Sequence, residues 1–100
     1  MVKLGLFVRL SAKPGKEAEL ARFLRQGLEL ANQEEQTPVW FAVQFDAATF
    51  AIFDAFEGEA GRSAHLNGPI AAALMAKAAD LLAQPPNIEK YEVIGAKLPR

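Results

Sequence analysis

The sequence predicts a small α+β domain whose elements follow the order β-α-β-β-α-β. Apolar residues alternate with a period of two in four segments and recur every three or four residues in two others, which is typical of strands and of amphipathic helices. The composition agrees, because 51% of the 100 residues are apolar and 23% are charged. We therefore expect one domain over residues 1–100, with a ferredoxin-like antiparallel sheet and the helices on one face.

The first half of the chain predicts a strand, a helix and a hairpin. Residues 3–12 alternate as a strand, which ends at Pro14 and Gly15. Residues 16–33 place their apolar side chains on one helical face. Residues 38–45 and 49–57 are rich in β-branched and aromatic residues and are separated by a short turn, so we expect them to pair.

The second half predicts a helix in two pieces and a last strand. The pieces are residues 58–66 and 69–84, since Pro69 suits the start of a helix but not its interior. Two consecutive prolines end the second piece, and residues 87–98 alternate as a strand.

The register of the predicted hairpin decides which side chains the helices leave uncovered. If Phe45 pairs with Phe50, Trp40 and Phe53 lie together on the uncovered face. Both faces of the sheet are then mainly apolar, although a sheet face without helices is usually polar. A second copy of the chain would cover it, so we expect a homodimer through the sheet face that bears Phe7, Trp40 and Phe53.

Composition argues against several partners and cofactors. The chain has no cysteine and one histidine, so disulfides, iron–sulfur clusters and zinc sites are not expected. Its 11 basic and 12 acidic residues are scattered, which disfavours nucleic acid. The longest apolar run, residues 68–76, is too short to span a bilayer, and the N-terminus lacks a signal-peptide pattern, so we expect a cytoplasmic protein without a membrane partner. Glycine-rich nucleotide motifs are also missing, and we expect no cofactor.

Three polar residues are candidates for proton chemistry. His65 titrates near neutral pH and suits a base, although a histidine at the end of a helix can also bond its last carbonyls. Asp54 interrupts an apolar set, so it is either a base or the partner of His65, or it is a strand-edge acid that reaches solvent or pairs with Arg62 or a lysine. Arg62 lies three residues before His65 and could stabilise an oxyanion, or remain a solvated charge.

These features resemble the antibiotic biosynthesis monooxygenase family of dimeric α+β barrels. The resemblance rests on the order of elements, on "KPGKEAEL" at the first helix and on "FDAFEGEAGRSAHL" from the third strand onward. It implies oxidation of a small phenolic, quinol or anthrone-like aromatic by dioxygen, without flavin, haem or metal. It also places His65 near the mouth of a pocket between helices and sheet. Phe56 departs from the family, which commonly has tryptophan at that strand end.

The expected catalytic residues are thus His65, Asp54 and Arg62. The expected substrate pocket is lined by Val8, Phe41, Ile52, Phe56 and Met75. An alternative function is a non-catalytic dimeric barrel that binds a small apolar ligand, because one fold hosts many functions.

Overall fold

A computed structural model describes residues 1–99 of the chain and confirms the predicted fold class. Within this range the elements are β1 (Leu4–Ser11), α1 (Glu17–Asn32), β2 (Val39–Gln44), β3 (Thr49–Phe56), α2 (Glu59–Leu66), α3 (Pro69–Leu81) and β4 (Asn87–Glu92). The four strands form one antiparallel sheet in the order β2-β3-β1-β4. This is the ferredoxin-like α+β arrangement, with the second helix divided at the position that the sequence predicts.

The hydrophobic core lies between the helices and one face of the sheet. Alternate side chains of β1 and β3 point into it, as the period of two requires, and α1 and α3 contribute residues at helical spacing. Its buried members are Val8, Leu10, Ala12, Leu20, Leu24, Phe50, Ile52, Leu74, Leu81 and Leu82. This packing fixes the position of β3 beneath the helices.

The last strand is shorter than the sequence predicts. Residues 87–98 alternate, but β4 ends at Glu92, which pairs with Leu4 at the start of β1. One further backbone hydrogen bond joins the Val93 N–H to the Lys3 carbonyl at 2.8 Å. Beyond that point β1 offers few residues to pair with, so the alternating pattern continues without a strand.

The hairpin register differs by one residue from the predicted one. Phe50 pairs with Gln44 instead of Phe45, because the turn is longer than expected. Within that turn the Asp46 carboxylate accepts hydrogen bonds from the N–H groups of Ala48 and Thr49, at 3.0 and 2.9 Å. Such an aspartate turn is a stable local structure, and here it adds one residue to the loop.

This shift moves every β2 side chain to the opposite face of the sheet. Trp40 pairs with Asp54 on the helix side, where its ring packs over Gly27 of α1, and so it is not part of the uncovered face. Phe41 pairs with Phe53 on the uncovered face and is 55% exposed there, so the expectation that it lines a pocket under the helices is corrected.

An aromatic row crosses the uncovered face. Phe41 stacks on Phe53 with ring centroids 6.3 Å apart, and Phe53 stacks on Tyr91 of β4 at 5.6 Å. Tyr91 reaches across β1 at Gly5 and donates a hydrogen bond from its hydroxyl to the Asp54 carbonyl at 2.5 Å. The uncovered face thus contacts the backbone of Asp54.

Gly5→Ala should destabilise the protein by about 1–3 kcal/mol, the usual cost of overpacking. A Cβ at this position would collide with the Tyr91 hydroxyl and the Asp54 carbonyl, and the backbone cannot easily move away from both. Urea unfolding of the variant measures the loss. The matched control is Gly95→Ala, where a Cβ meets no heavy atom of the described residues within 4 Å. Equal stability of the two variants would contradict the prediction.

Candidate functional site

The only histidine lies buried between two carboxylates. His65 occupies the last turn of α2 and is 6% exposed. Its Nδ1 lies 2.6 Å from Oε1 of Glu34, and its Nε2 lies 3.0 Å from Oδ2 of Asp54. The imidazole therefore bonds these side chains rather than the carbonyls at the end of its helix.

Asp54 and His65 meet because α2 begins almost directly after β3. Asp54 points to the helix side of β3, opposite Leu6 of β1, and is completely buried. The turn at Gly58 folds α2 back over the sheet, which brings His65 above Asp54. The ring of Phe56 packs against the imidazole with centroids 5.5 Å apart and shields the pair from water.

Glu34 comes from the loop between α1 and β2. The loop lies close to α2 because Gly61 has no side chain; a Cβ there would stand 2.8 Å from the Gln36 carbonyl. Thr37 donates a hydrogen bond from Oγ1 to Oε1 of Glu34 at 2.9 Å and holds the carboxylate toward His65. These contacts place Glu34 at the site, although Glu34 is not among the site residues predicted from the sequence.

One signal in the sequence does point to Glu34. An acidic residue just beyond the C-terminus of a helix faces the negative end of the helix dipole. The last turn of α1 contains no basic residue that would offset this. A carboxylate at this place therefore needs a cation from another element, and His65 supplies it.

The two carboxylates favour the protonated imidazole. Burial lowers the pKa of His65, but the adjacent carboxylates of Asp54 and Glu34 outweigh it and raise the pKa above its ordinary 6.5. The imidazolium is thus stabilised on both sides of the ring.

The site retains polar atoms that are not fully bonded. Among the described residues, both carboxylate oxygens of Asp54, Oε2 of Glu34 and Nε1 of Trp40 are buried without an aligned hydrogen bond. The 3.0 Å approach of His65 Nε2 to Asp54 is therefore an ion-pair contact and not a well-directed hydrogen bond. Buried polar atoms are normally hydrogen-bonded, so atoms left in this state need an explanation, and a catalytic role is one of them.

His65 separates two cavities. On one side is an apolar cavity of about 110 Å³ under α2 and α3, whose lining includes Val8, Ile52 and Met75. On the other side is a more polar cavity of about 370 Å³, lined by residues of the Glu34 loop. Three of the expected pocket residues thus surround the apolar cavity together with His65, whereas Phe56 is fully buried against the imidazole.

Arg62 is placed differently from the expectation. Its guanidinium pairs with Glu59 at 2.5 Å and donates to the carbonyl oxygens of Gly5 and Tyr91 at 3.2 and 3.5 Å. These contacts connect α2 to the ends of β1 and β4. The guanidinium is already bound by Glu59 and by these two carbonyl oxygens, so a role at a substrate oxyanion is not favoured.

The arrangement does not suit a metal ion. Glu34 and Asp54 lie at opposite nitrogens of His65, so the three side chains cannot converge on one centre. Across residues 1–99, no group of three or more histidine, cysteine, aspartate or glutamate side chains could hold a metal ion. Over the same range, no helix combines the length and apolar character needed to cross a membrane.

Comparisons with solved structures define the class of the fold. A "Putative antibiotic biosynthesis monooxygenase from Nitrosomonas europaea" superposes with a TM-score of 0.83 at 19% identity, covering 92% of this chain and 99% of that one. A protein from Deinococcus radiodurans, also named a putative antibiotic biosynthesis monooxygenase, gives a TM-score of 0.79 at 19% identity, covering 95% of this chain and 96% of that one. The resemblance noted in the sequence is thus confirmed at the level of the fold.

One solved structure is much more similar. The NE2512 protein of unknown function from Nitrosomonas europaea is 65% identical, with a TM-score of 0.98, over 100% of this chain and 97% of that one. The chain belongs to the same family as that protein. No protein-family model matches the chain, and no curated protein does.

The stability of the protein should fall as the pH rises through the raised pKa of His65. The imidazolium is bound by carboxylates in the folded state, so its stabilisation is fully present below the unfolded value of about 6.5 and is lost above the folded pKa. Thermal unfolding between pH 6 and 9 measures this, and His65→Gln is the matched variant. A wild-type curve parallel to that of His65→Gln would refute the assignment.

Proposed function

We propose that the protein is a cofactor-independent monooxygenase that oxidises a small phenolic, quinol or anthrone-like aromatic with dioxygen. The observation that carries the proposal is a buried, polarised imidazole that lines an apolar cavity. The shared fold of the proteins named as monooxygenases supports the reaction class. The site combines a proton acceptor with a water-poor space for an aromatic ring.

The chemistry needs no external reductant. Loss of a proton from an anthrone-like substrate gives an electron-rich anion, which donates electrons to dioxygen and forms a carbon–oxygen bond. The resulting peroxide takes up a proton and then loses water as the second C–H bond breaks and the ketone forms. One oxygen atom enters the product and the other leaves as water, so the four electrons come from the substrate.

His65 is the proposed base, because it is the member of the polar group that lines the apolar cavity. The pKa of a phenol is near 10, so proton transfer from a phenol to His65 is less unfavourable when the pKa of His65 is raised. The imidazolium that forms is held by Asp54 and Glu34 and remains close to the substrate anion. It can return the proton to the peroxide in the later step.

The cavity must widen to admit an aromatic ring. At about 110 Å³ it is smaller than the engineered cavity of about 150 Å³ that accommodates benzene in another protein. Two side chains of its lining, Met75 and Ile88, are 59% and 46% exposed. Methionine is flexible, so movement of Met75 is the proposed way in.

Oxygen uptake by the purified protein with a panel of quinols and anthrones tests the reaction. His65→Ala should lower kcat by roughly 10²- to 10⁴-fold, the usual contribution of a general base. Arg62→Gln is the comparison variant for charge on the same helix and should keep most of the activity. Binding without uptake by the wild type would instead support the non-catalytic ligand-binding alternative.

The pH dependence of kcat/KM should report His65. Activity should rise with pH as the imidazole loses its proton, with an apparent pKa above 6.5. Asp54→Asn removes one of the charges that raise the pKa, so the rise should move to lower pH in that variant. Steady-state rates from pH 5 to 9 measure both curves. A profile that falls over this range would rule out His65 as the base.

We also propose that two copies pair through the uncovered sheet face. Phe41, Phe53 and Tyr91 form its aromatic row, and no helix of the described residues covers them. In the observed register this surface contains Phe7 and Phe53, as expected, but not Trp40, which lies on the helix side of the sheet.

Phe53→Asp should shift the protein from dimer to monomer, because a carboxylate at the centre of the interface would be buried unpaired. Light scattering after size-exclusion chromatography measures the mass. Leu28→Asp is the control, since Leu28 is also exposed, at 48%, but lies on α1. A wild-type monomer, or two variants with the same mass as the wild type, would exclude this interface.

A further inference from the structure

We infer that Glu34 is a positioning residue, whose carboxylate determines which ring nitrogen of His65 is available to take a proton. The inference rests on the proposed function, because the tautomer of His65 affects catalysis only if His65 acts as the base. It assigns different roles to the two acidic side chains that contact His65, Glu34 and Asp54.

Glu34 fixes a hydrogen on Nδ1 of His65. An ionised carboxylate can only accept hydrogen bonds, so the contact of 2.6 Å between Glu34 Oε1 and Nδ1 requires a hydrogen on Nδ1. Thr37 donates to the same oxygen at 2.9 Å and restrains the carboxylate. When the imidazole is neutral, its single proton therefore stays on Nδ1 and leaves Nε2 as the acceptor.

Nε2 of His65 lies next to the other carboxylate. Asp54 lies 3.0 Å away, but neither of its oxygens forms an aligned hydrogen bond among the described residues. A ring nitrogen without a hydrogen and a carboxylate oxygen are both acceptors, so a proton added between Nε2 and Asp54 is stabilised. Asp54 is thus on the reacting side of the ring and favours uptake of the proton, whereas Glu34 is on the fixed side.

The three side chains differ in their access to the two cavities. Glu34 lies in a loop, and its side chain is 14% exposed toward the polar cavity. The side chain of Asp54 lies beneath the ring and is only 1% exposed. His65 alone of the three lines the apolar cavity. Glu34 consequently acts through His65 and does not itself touch a substrate there.

The chain offers an unusually direct test, because His65 is its only histidine. Nitrogen NMR of protein labelled with ¹⁵N-histidine reports the protonation of Nδ1 and Nε2 without overlap from another residue. Spectra recorded without substrate, above the pH at which His65 loses its charge, should show a protonated Nδ1 in the wild type. A predominantly protonated Nε2 would overturn the inference.

Two substitutions of Glu34 separate its charge from its hydrogen bond. Glu34→Gln keeps an oxygen that can accept from Nδ1, so the tautomer should be retained while the pKa of His65 falls. Glu34→Leu removes the acceptor, so the proton should move to Nε2 and bond Asp54. If the leucine variant does not fold, a predominantly protonated Nε2 in the wild type or in Glu34→Gln would still overturn the inference. Glu35→Gln is the control, since Glu35 is exposed in the same loop.

Kinetics then connect the tautomer to the reaction. Relative to the wild type, kcat should fall at least about tenfold more in Glu34→Leu than in Glu34→Gln, while KM changes little, because a general base contributes about 10²–10⁴-fold. Equal losses of kcat in both variants would contradict a role through the tautomer. A wild type without oxygen uptake would count against the proposed function, and the NMR spectra would still decide the role of Glu34.

Discussion

The contact between His65 and Asp54 is the constraint on which the site depends. An aspartate with no exposed surface lies beneath a helix in an otherwise apolar core, and an unpaired charge there would be strongly destabilising. His65 provides the compensating charge at 3.0 Å. The close return of α2 over β3 and the shielding by Phe56 serve to keep this pair together and dry.

Asp54 also connects the two faces of the sheet. Its side chain reaches His65 on the helix side, while its carbonyl accepts the hydroxyl of Tyr91 from the uncovered face. Tyr91 in turn stacks on Phe53 within the aromatic row. Coverage of that row would therefore restrain the backbone that positions the buried carboxylate, and the proposed dimer and the proposed site share one residue.

The sequence predicts the fold well and the site only in part. Alternation and helical spacing are local signals that the core enforces, so the elements and the break at Pro69 could be predicted. The hairpin register could not, because it depends on side-chain hydrogen bonds of Asp46 within the turn. The resulting shift of one residue places Trp40 and Phe41 on the faces opposite to those expected.

Only some residues of the candidate site could be predicted from the sequence. His65 and Asp54 could be selected because one is the only histidine and the other interrupts an apolar strand pattern. Glu34 has a local signal, an acidic residue just beyond the end of α1, but this signal does not identify His65 as its partner, because the contact depends on how closely Gly61 lets α2 approach the loop. Long-range contacts of this kind have no signature within a local stretch of sequence.

The position of His65 between two unlike cavities restricts what the site can do. If water reached the reacting side of the base, it would reprotonate the substrate anion in competition with the reaction of that anion with dioxygen. Here Glu34 and His65 both line the polar cavity, whereas His65 lines the apolar cavity without either carboxylate. Solvent can therefore reach the fixed carboxylate without entering the space proposed for the substrate. This asymmetry, rather than the presence of a histidine alone, is what makes proton abstraction followed by oxidation chemically reasonable in so small a domain.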